Sequence, residues 1–270
     1  MILNTPDFSL QATLESGQVF GFHKSKDGWY EGNIPGSFAR LYQKQDRLFI
    51  RHENPKISAS DIRNFFHLDY DLNAVYELIE NEEKLLPVLS QMKGLRIIRQ
   101  NPWEALACFI ISSNNNVKRI QLIRRNLVDY YGGQENFPDP CQIANSKESI
   151  LGQLGLGYRA SYLLKTAQAV ASDPFFIENV RKVPYEEAKL RLLKLPGVGP
   201  KVAECVLLFG FQKYEAFPVD VWIARVMRKL YFKNREVLER KIQSFGQKRW
   251  RELAGYIQQY LFHGARNHLF

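Results

Sequence analysis

A lysine stands where two effects oppose its charge. In LKLPGVGPKVAECVLLFGFQKYEAFPVDVW, residues 193–222, Lys201 follows a glycine hairpin and opens a nearly all-apolar run. A helix starting at Pro200 puts the ammonium group at the positive end of the helix dipole, and burial of residues 202–209 strips water from it. Both effects favour the neutral, nucleophilic amine that a Schiff-base lysine needs. The ordinary alternative is a surface lysine with its stem laid along the helix. Asp220 follows 19 positions later, ahead of the periodic run Ile223, Val226, Met227 and Leu230. It reads as an N-cap that binds amides two or three residues on. Its remaining oxygen is then available to stabilise positive charge developing on a sugar ring.

Gly197 and Gly199, flanking Val198, allow positive φ and a close backbone approach. A hairpin of Gly197, Val198 and Gly199 leading to Lys201 turns amide groups outward at a helix N-terminus, which suits a phosphate. A plain αα-hairpin with convenient glycines would look the same over GxG alone. Cys205 lies at i+4 from Lys201, and Gln258 and Phe262 form a second i, i+4 pair, so each pair shares one helix face. The polar cluster SSNNN (112–116) separates two apolar helical segments and reads as a capping loop.

Elements must position these groups, and the pattern changes once, near residue 55. From Phe8 to His52 the segments are short, aromatic and β-branched, with turns at KDGW, NIPGS and KQDR, so GWYEGNI and RLFIRH read as antiparallel strands. After ENPKISASD the period becomes helical. Spacing predicts helices at 61–67, 72–89, 102–111, 117–131, 159–172, 185–194, 200–211, 221–231 and 249–262. The fold class is therefore α+β. A sheet domain with flanking helices (1–95) precedes a helical domain (96–270) of two parts.

Composition bounds the partners. The 270 residues are 45% hydrophobic and 24% charged, an ordinary globular balance with room for a sizeable core. The net charge of +9 favours a polyanion, nucleic acid or an acidic membrane surface. No apolar run approaches the roughly 18 residues of a membrane span, so no membrane role is expected. The N-terminus carries no secretory signal pattern. Cys108, Cys141 and Cys205 are odd in number and lack CxxC spacing, which excludes a disulfide framework and a zinc or iron–sulfur site. The expected location is the cytoplasm, at the nucleoid, in a bacterium or archaeon, and the nucleus in a eukaryote.

The hairpin, Lys201 and Asp220 together resemble the helix-hairpin-helix–Gly/Pro–Asp signature of DNA base-excision glycosylases. SGQVFGF (16–22), QNPWEALACFIISSNNNVKRI (100–120), LGLGYRASYL (154–163) and AGYIQQYLF (254–262) resemble, in order, the 8-oxoguanine DNA glycosylase family. The resemblance runs from about residue 8 to 262. It implies a TATA-binding-protein-like antiparallel sheet domain packed on two helical subdomains. It also implies a monomer acting on double-stranded DNA that contains 8-oxoguanine. Relatives such as endonuclease III carry a cysteine cluster that is missing here, and adenine and alkylbase glycosylases lack the lysine.

The family's chemistry maps onto these residues one by one. Lys201 would attack C1′ of a flipped nucleotide, and the Schiff base would lead to strand cleavage by β-elimination. Asp220 would stabilise the oxocarbenium-like transition state. Cys205 and Phe262 would sandwich the purine, Gln258 would bond its Watson–Crick edge, and the Gly17 carbonyl would accept N7–H, which guanine lacks. Asn114 would fill the vacated stack, Tyr158 would wedge the duplex, and Arg119 and Arg159 would read the orphaned cytosine. No metal or cofactor is required, although hairpin carbonyls could hold a structural monovalent cation. Trp222 departs from the pattern, standing where family members have a phosphate-binding histidine. Two other functions fit parts of the sequence: a glycosylase of different base preference, and a non-catalytic helix-hairpin-helix module. The module would need neither Lys201 nor Asp220.

Overall fold

A computed structural model describes residues 1–34, 37–52, 57–132 and 136–270. The turn expected at NIPGS and the linker ENPK fall partly or wholly outside these residues. Five strands form one antiparallel sheet: β1 (Ile2–Asn4), β2 (Phe22–Lys24), β3 (Tyr30–Ile34), β4 (Ser37–Lys44) and β5 (Arg47–His52), in the order β1-β5-β4-β3-β2. Lys44 pairs with Arg47, so Gln45 and Asp46 make a two-residue hairpin, with Gln45 at φ 51°. Alternation decides which face is buried: Leu41, Leu48 and Ile50 point inward, whereas Arg40, Tyr42 and Arg51 point out.

The all-strand reading of 8–52 fails at α1 (Leu10–Leu14). Ser9 caps this helix, its hydroxyl accepting from the Ala12 amide at 3.2 Å, and Leu10, Ala12, Thr13 and Leu14 are buried. Five residues are too few for a helical period to stand out from alternation.

Helices follow: α2 (Ala59–Phe65), α3 (Asn73–Glu80), α4 (Leu86–Met92), α5 (Pro102–Ile111), α6 (Val117–Tyr130), α7 (Pro140–Ala144), α8 (Glu148–Leu151), α9 (Arg159–Ser172) and α10 (Phe176–Lys182). They continue with α11 (Tyr185–Leu192), α12 (Pro200–Phe211), α13 (Val221–Tyr231), α14 (Glu239–Trp250) and α15 (Ala254–Arg266). The single helix expected over 72–89 is two, because Pro87 cannot donate an interior helix bond and sits in the first turn of α4. The helix expected at 249–262 straddles a break at Arg251, which has φ 47°. Short α7, α8 and α10, and the polar α14, were not expected from the spacing.

Two apolar cores result. One lies under the sheet and takes Ile62, Phe65, Phe66 and Ile98. The other fills the helical body and reaches back to Ala12, Phe20 and the buried faces of α3 and α4. Side chains at 72–92 thus serve the helical core, although they precede the boundary drawn at residue 95. Among the described residues, no helix is long and apolar enough to cross a membrane.

Candidate active site

The hairpin is built against α9. Gly197 has φ 76°, and a Cβ there would lie 2.7 Å from Tyr162 Cβ, so only glycine fits. Thr166 Oγ1 donates to the Pro196 carbonyl at 2.7 Å, and the Val198 amide donates to the Leu195 carbonyl at 3.2 Å. Val198 therefore closes the hairpin with its amide and buries its side chain; it does not offer that amide to a phosphate. The amides of Gly197, of Gly199, which caps α12, and of Lys201 remain for that role. Lys201 is half-buried in the first turn of α12, with Nζ 5.6 Å from the Phe109 ring centroid. A cavity of about 660 Å³ runs past it, bounded by Pro200, Val219, Arg228, Leu238 and Gln243.

Asp220 caps α13. Its Oδ1 accepts from the amides of Trp222 at 3.0 Å and Ile223 at 2.9 Å. Lys201, Cys205 and Asp220 meet electrostatically at the buried Cys205 thiol. Burial pushes this thiol up to about 11 and the Asp220 and Glu204 charges add to the effect, whereas the Lys201 charge and hydrogen bond oppose it.

α15 supplies the second wall. Gln258 is buried, and its Nε2 donates to the Pro218 carbonyl at 3.1 Å, two residues before Asp220. Its Oε1 is buried with no hydrogen-bond partner. An unpaired buried acceptor costs about 1–3 kcal/mol until a donor arrives. One turn later, Phe262 lies against Gly17: a Cβ built at Gly17, which has φ 80°, would sit 3.0 Å from Phe262 Cε1 and 3.2 Å from Arg266 Nη1. A second cavity, of about 390 Å³, opens beside Gly17 toward Tyr30, Gln121 and His263.

The loop between α5 and α6 divides the asparagines by role. Asn116 caps α6 through the Arg119 amide at 3.0 Å, and Asn115 Nδ2 donates to the Ile111 carbonyl at 3.2 Å. Asn114 is left exposed at φ 50°, its Nδ2 3.3 Å from Tyr158 Oη. Tyr158 is 57% exposed, and Arg119 is exposed beside this loop. Arg159 departs from expectation. Only 6% exposed, it donates to the carbonyls of Ser113 (Nε, 2.7 Å), Asn114 (Nη2, 2.9 Å) and Leu156 (Nη1, 3.4 Å) and stacks 4.4 Å over Tyr158. Four of its five N–H donors are thus engaged in shaping the loop. Trp222 is half-buried, with the exposed Arg225 guanidinium 5.3 Å over its ring.

Sequence reasoning missed the residues that hold Gly17 in place. The Gln18 amide donates to the carbonyls of Arg96 (2.8 Å) and Thr13 (3.1 Å), and its oxygen accepts from the Ile98 amide at 2.8 Å. Gln259 Nε2 donates to the Ser16 carbonyl at 2.7 Å, tying this segment to α15. Gly21 makes room for Arg124, which would lie 3.0 Å from a Cβ there and is buried in an ion pair with Glu104 at 2.6 Å. A polar residue alternating with glycines in SGQVFGF was the only local sign of this packing.

A lysine and an aspartate at the starts of consecutive helices, the first of them behind a glycine hairpin, define the class of DNA base-excision enzymes. The chain belongs to the HhH-GPD superfamily of base excision DNA repair proteins, whose model matches residues 107–252. Residues 1–106 match the 8-oxoguanine DNA glycosylase N-terminal domain, so the chain is an N-glycosylase/DNA lyase of that branch. It is 31% identical to a probable N-glycosylase/DNA lyase of Methanothermobacter thermautotrophicus, covering 96% of this chain and 94% of the relative. It is 30% identical to the Arabidopsis thaliana N-glycosylase/DNA lyase OGG1, over 82% of this chain and 66% of that protein. The crystal structure of Clostridium acetobutylicum 8-oxoguanine glycosylase/lyase with double-stranded DNA containing cytosine opposite 8-oxoG superposes with a TM-score of 0.91. That pair is 29% identical and covers 100% of this chain and 99% of the other.

Proposed function

We propose that this enzyme flips 8-oxoguanine out of duplex DNA opposite cytosine, excises it through a Lys201 Schiff base and then cleaves the strand by β-elimination. The observation that carries this reading is the meeting of Lys201 and Asp220 at the Cys205 thiol, with Gln258 tied to the Pro218 carbonyl two residues before Asp220 and Phe262, one turn on, against Gly17. The Lys201 amine, having given up its proton, attacks C1′ as the N-glycosidic bond breaks, and the base leaves with the bonding pair. Positive charge building on the ring oxygen is met by the Asp220 carboxylate. Loss of the ring-oxygen bond yields the imine, which acidifies the C2′ proton. Removal of that proton expels the 3′ phosphate, and water releases Lys201. Lysine supplies both nucleophile and electron sink, so no organic cofactor is called for.

In the pocket the unpaired Gln258 Oε1 would accept from the purine N1–H or N2 amine, and the Gly17 carbonyl from N7–H. Phe262 and the Cys205 thiol would hold the two faces of the base. The chain would act as a monomer. Of the hairpin carbonyls, those of Leu195, Pro196 and Gly199 already accept bonds from Val198, Thr166 and Ala203. Each keeps a second lone pair, so these carbonyls together with those of Gly197 and Val198 would be open to a structural monovalent cation.

Borohydride reduction tests the chemistry. During reaction with an 8-oxoguanine:C duplex it should trap a covalent adduct, and Lys201→Gln should abolish it. Trapping by Lys201→Gln at the wild-type yield would overturn the assignment. A panel of oxidised-purine and oxidised-pyrimidine duplexes decides the base preference.

A further inference from the structure

Glu204, one turn after Lys201, is 1% exposed, and it serves none of the chemistry described above. Its Oε1 pairs with Lys189 Nζ at 2.8 Å and accepts from the Tyr185 hydroxyl; its Oε2 accepts from the Phe217 amide at 2.8 Å. Tyr185 Oη in turn accepts from Gln247 Nε2 at 2.6 Å. A carboxylate removed from water is costly unless paired and hydrogen-bonded on both oxygens, and here it is.

Phe217 lies in the segment joining α12 to α13, and three residues later that segment delivers Asp220. Its carbonyls are held too: Tyr214 to the Gly255 amide (2.7 Å), Glu215 to Gln247 (3.1 Å) and Pro218 to Gln258 (3.1 Å), while the Lys213 ammonium donates to the Val183 carbonyl (2.7 Å). At its start the Lys213 amide donates to the Leu207 carbonyl of α12 (2.9 Å), and Glu204 is the α12 side chain that grips it nearer Asp220. An i, i+3 lysine–glutamate pair would ordinarily meet on a helix surface. No Lys201–Glu204 ion pair forms among the described residues; Lys189, Tyr185 and the Phe217 amide engage the carboxylate instead.

We infer that Glu204 is a positioning residue: by gripping the Phe217 amide from α12, it sets Asp220 in register with Lys201. This rests on the roles given to Lys201 and Asp220 above. Misplacing a catalytic group by about 1 Å costs as much as 100-fold in rate.

The experiment is a double-mutant cycle on the full chain, using single-turnover excision from an 8-oxoguanine:C duplex. Glu204→Met removes the acceptor at similar volume and should slow excision on the order of 10- to 100-fold, with duplex affinity unchanged. Glu204→Gln keeps an acceptor for Phe217 and should restore most of the rate. In an Asp220→Asn background Glu204→Met should cost little more, since it acts through Asp220. Equal losses in both backgrounds, or no loss in either, would overturn the inference. If Glu204→Met does not fold, Glu204→Gln carries the test: excision rate and hydrogen-exchange protection of residues 212–219 must be kept or lost together, and divergence overturns it. A wild-type protein that releases no 8-oxoguanine would count against the proposed substrate instead, and the cycle would be run on the lesion that it does excise.

Discussion

Gly17 and Phe262, 245 positions apart in the chain, touch so closely that a single methyl group on Gly17 would lie 3.0 Å from the Phe262 ring. Gly17→Ala would also put an L side chain at φ 80°, costing about 1–2 kcal/mol. The added Cβ displaces Phe262 or Arg266 and so disturbs the seat proposed for the base. Excision of 8-oxoguanine should fall about tenfold or more, the rate equivalent of 1.4 kcal/mol. Cleavage at a preformed abasic site, which seats no base, should hold near wild type. Parallel losses on both substrates would remove Gly17 from base recognition.

Asp220 carries two separable roles. Asparagine caps a helix about as well as aspartate, so Asp220→Asn should leave thermal stability nearly unchanged. Excision should drop by about 10²- to 10⁴-fold, the range for lost electrostatic or acid–base assistance. Asp220→Ala should lose the same activity and, in addition, about 1 kcal/mol of stability with the cap. Calorimetry beside single-turnover kinetics separates the two, and an Asn variant with full activity would reduce Asp220 to a cap.

Arg119 and Arg159 should part company. Arginine offers donors only, which matches the acceptors of cytosine and opposes the amine of adenine. The exposed Arg119 can make that reading, so Arg119→Ala should erase about 1–3 kcal/mol of preference for lesion:C over lesion:A. Arg159 is committed to the Ser113 and Asn114 carbonyls, so Arg159→Ala should slow excision opposite every base alike. Rates from four duplexes differing only in the opposite base decide it; a selective loss of cytosine preference in Arg159→Ala would contradict this division.

His67 makes stability depend on acid. Burial, then the charges of Arg99 and Arg96, lower it to about 4 from an ordinary 6.5. Between those values the unfolded chain takes up a proton that the native state refuses. The stabilisation is therefore full above pH 6.5 and falls as pH drops toward 4, by up to about 3 kcal/mol. Tyr214 Oη, 2.9 Å from Nδ1, holds the ring between the two halves of the chain. In urea titrations at pH 7 and 4.5, His67→Gln should lose less stability on acidification than wild type. Equal losses would mean that His67 is protonated in the fold.

Much of the site was legible because it obeys local rules. Proline at a helix start, glycines before it and an aspartate ahead of a periodic run gave α12 and α13 their observed limits, and the Asp220 cap with them. The five-residue α1 and the break between α14 and α15 escaped, because short or interrupted segments hold less than two clear periods.

Spacing within one helix states only which side chains share a face: Lys201 with Cys205, Gln258 with Phe262. It cannot say what that face meets. The meeting of Gly17 with Phe262, the tether from Gln259 to the Ser16 carbonyl, and the turning of Glu204 toward Lys189 and Phe217 were decided by packing. So was the fate of Arg159, a residue whose chemistry suits a base edge but whose burial obliges it to satisfy nearby carbonyls first. Residue types and short-range spacing determine which chemistry is available to this protein. Only the folded chain decides which polar groups are left unpaired to perform it, because every buried donor and acceptor must first find a partner, wherever in the chain that partner lies.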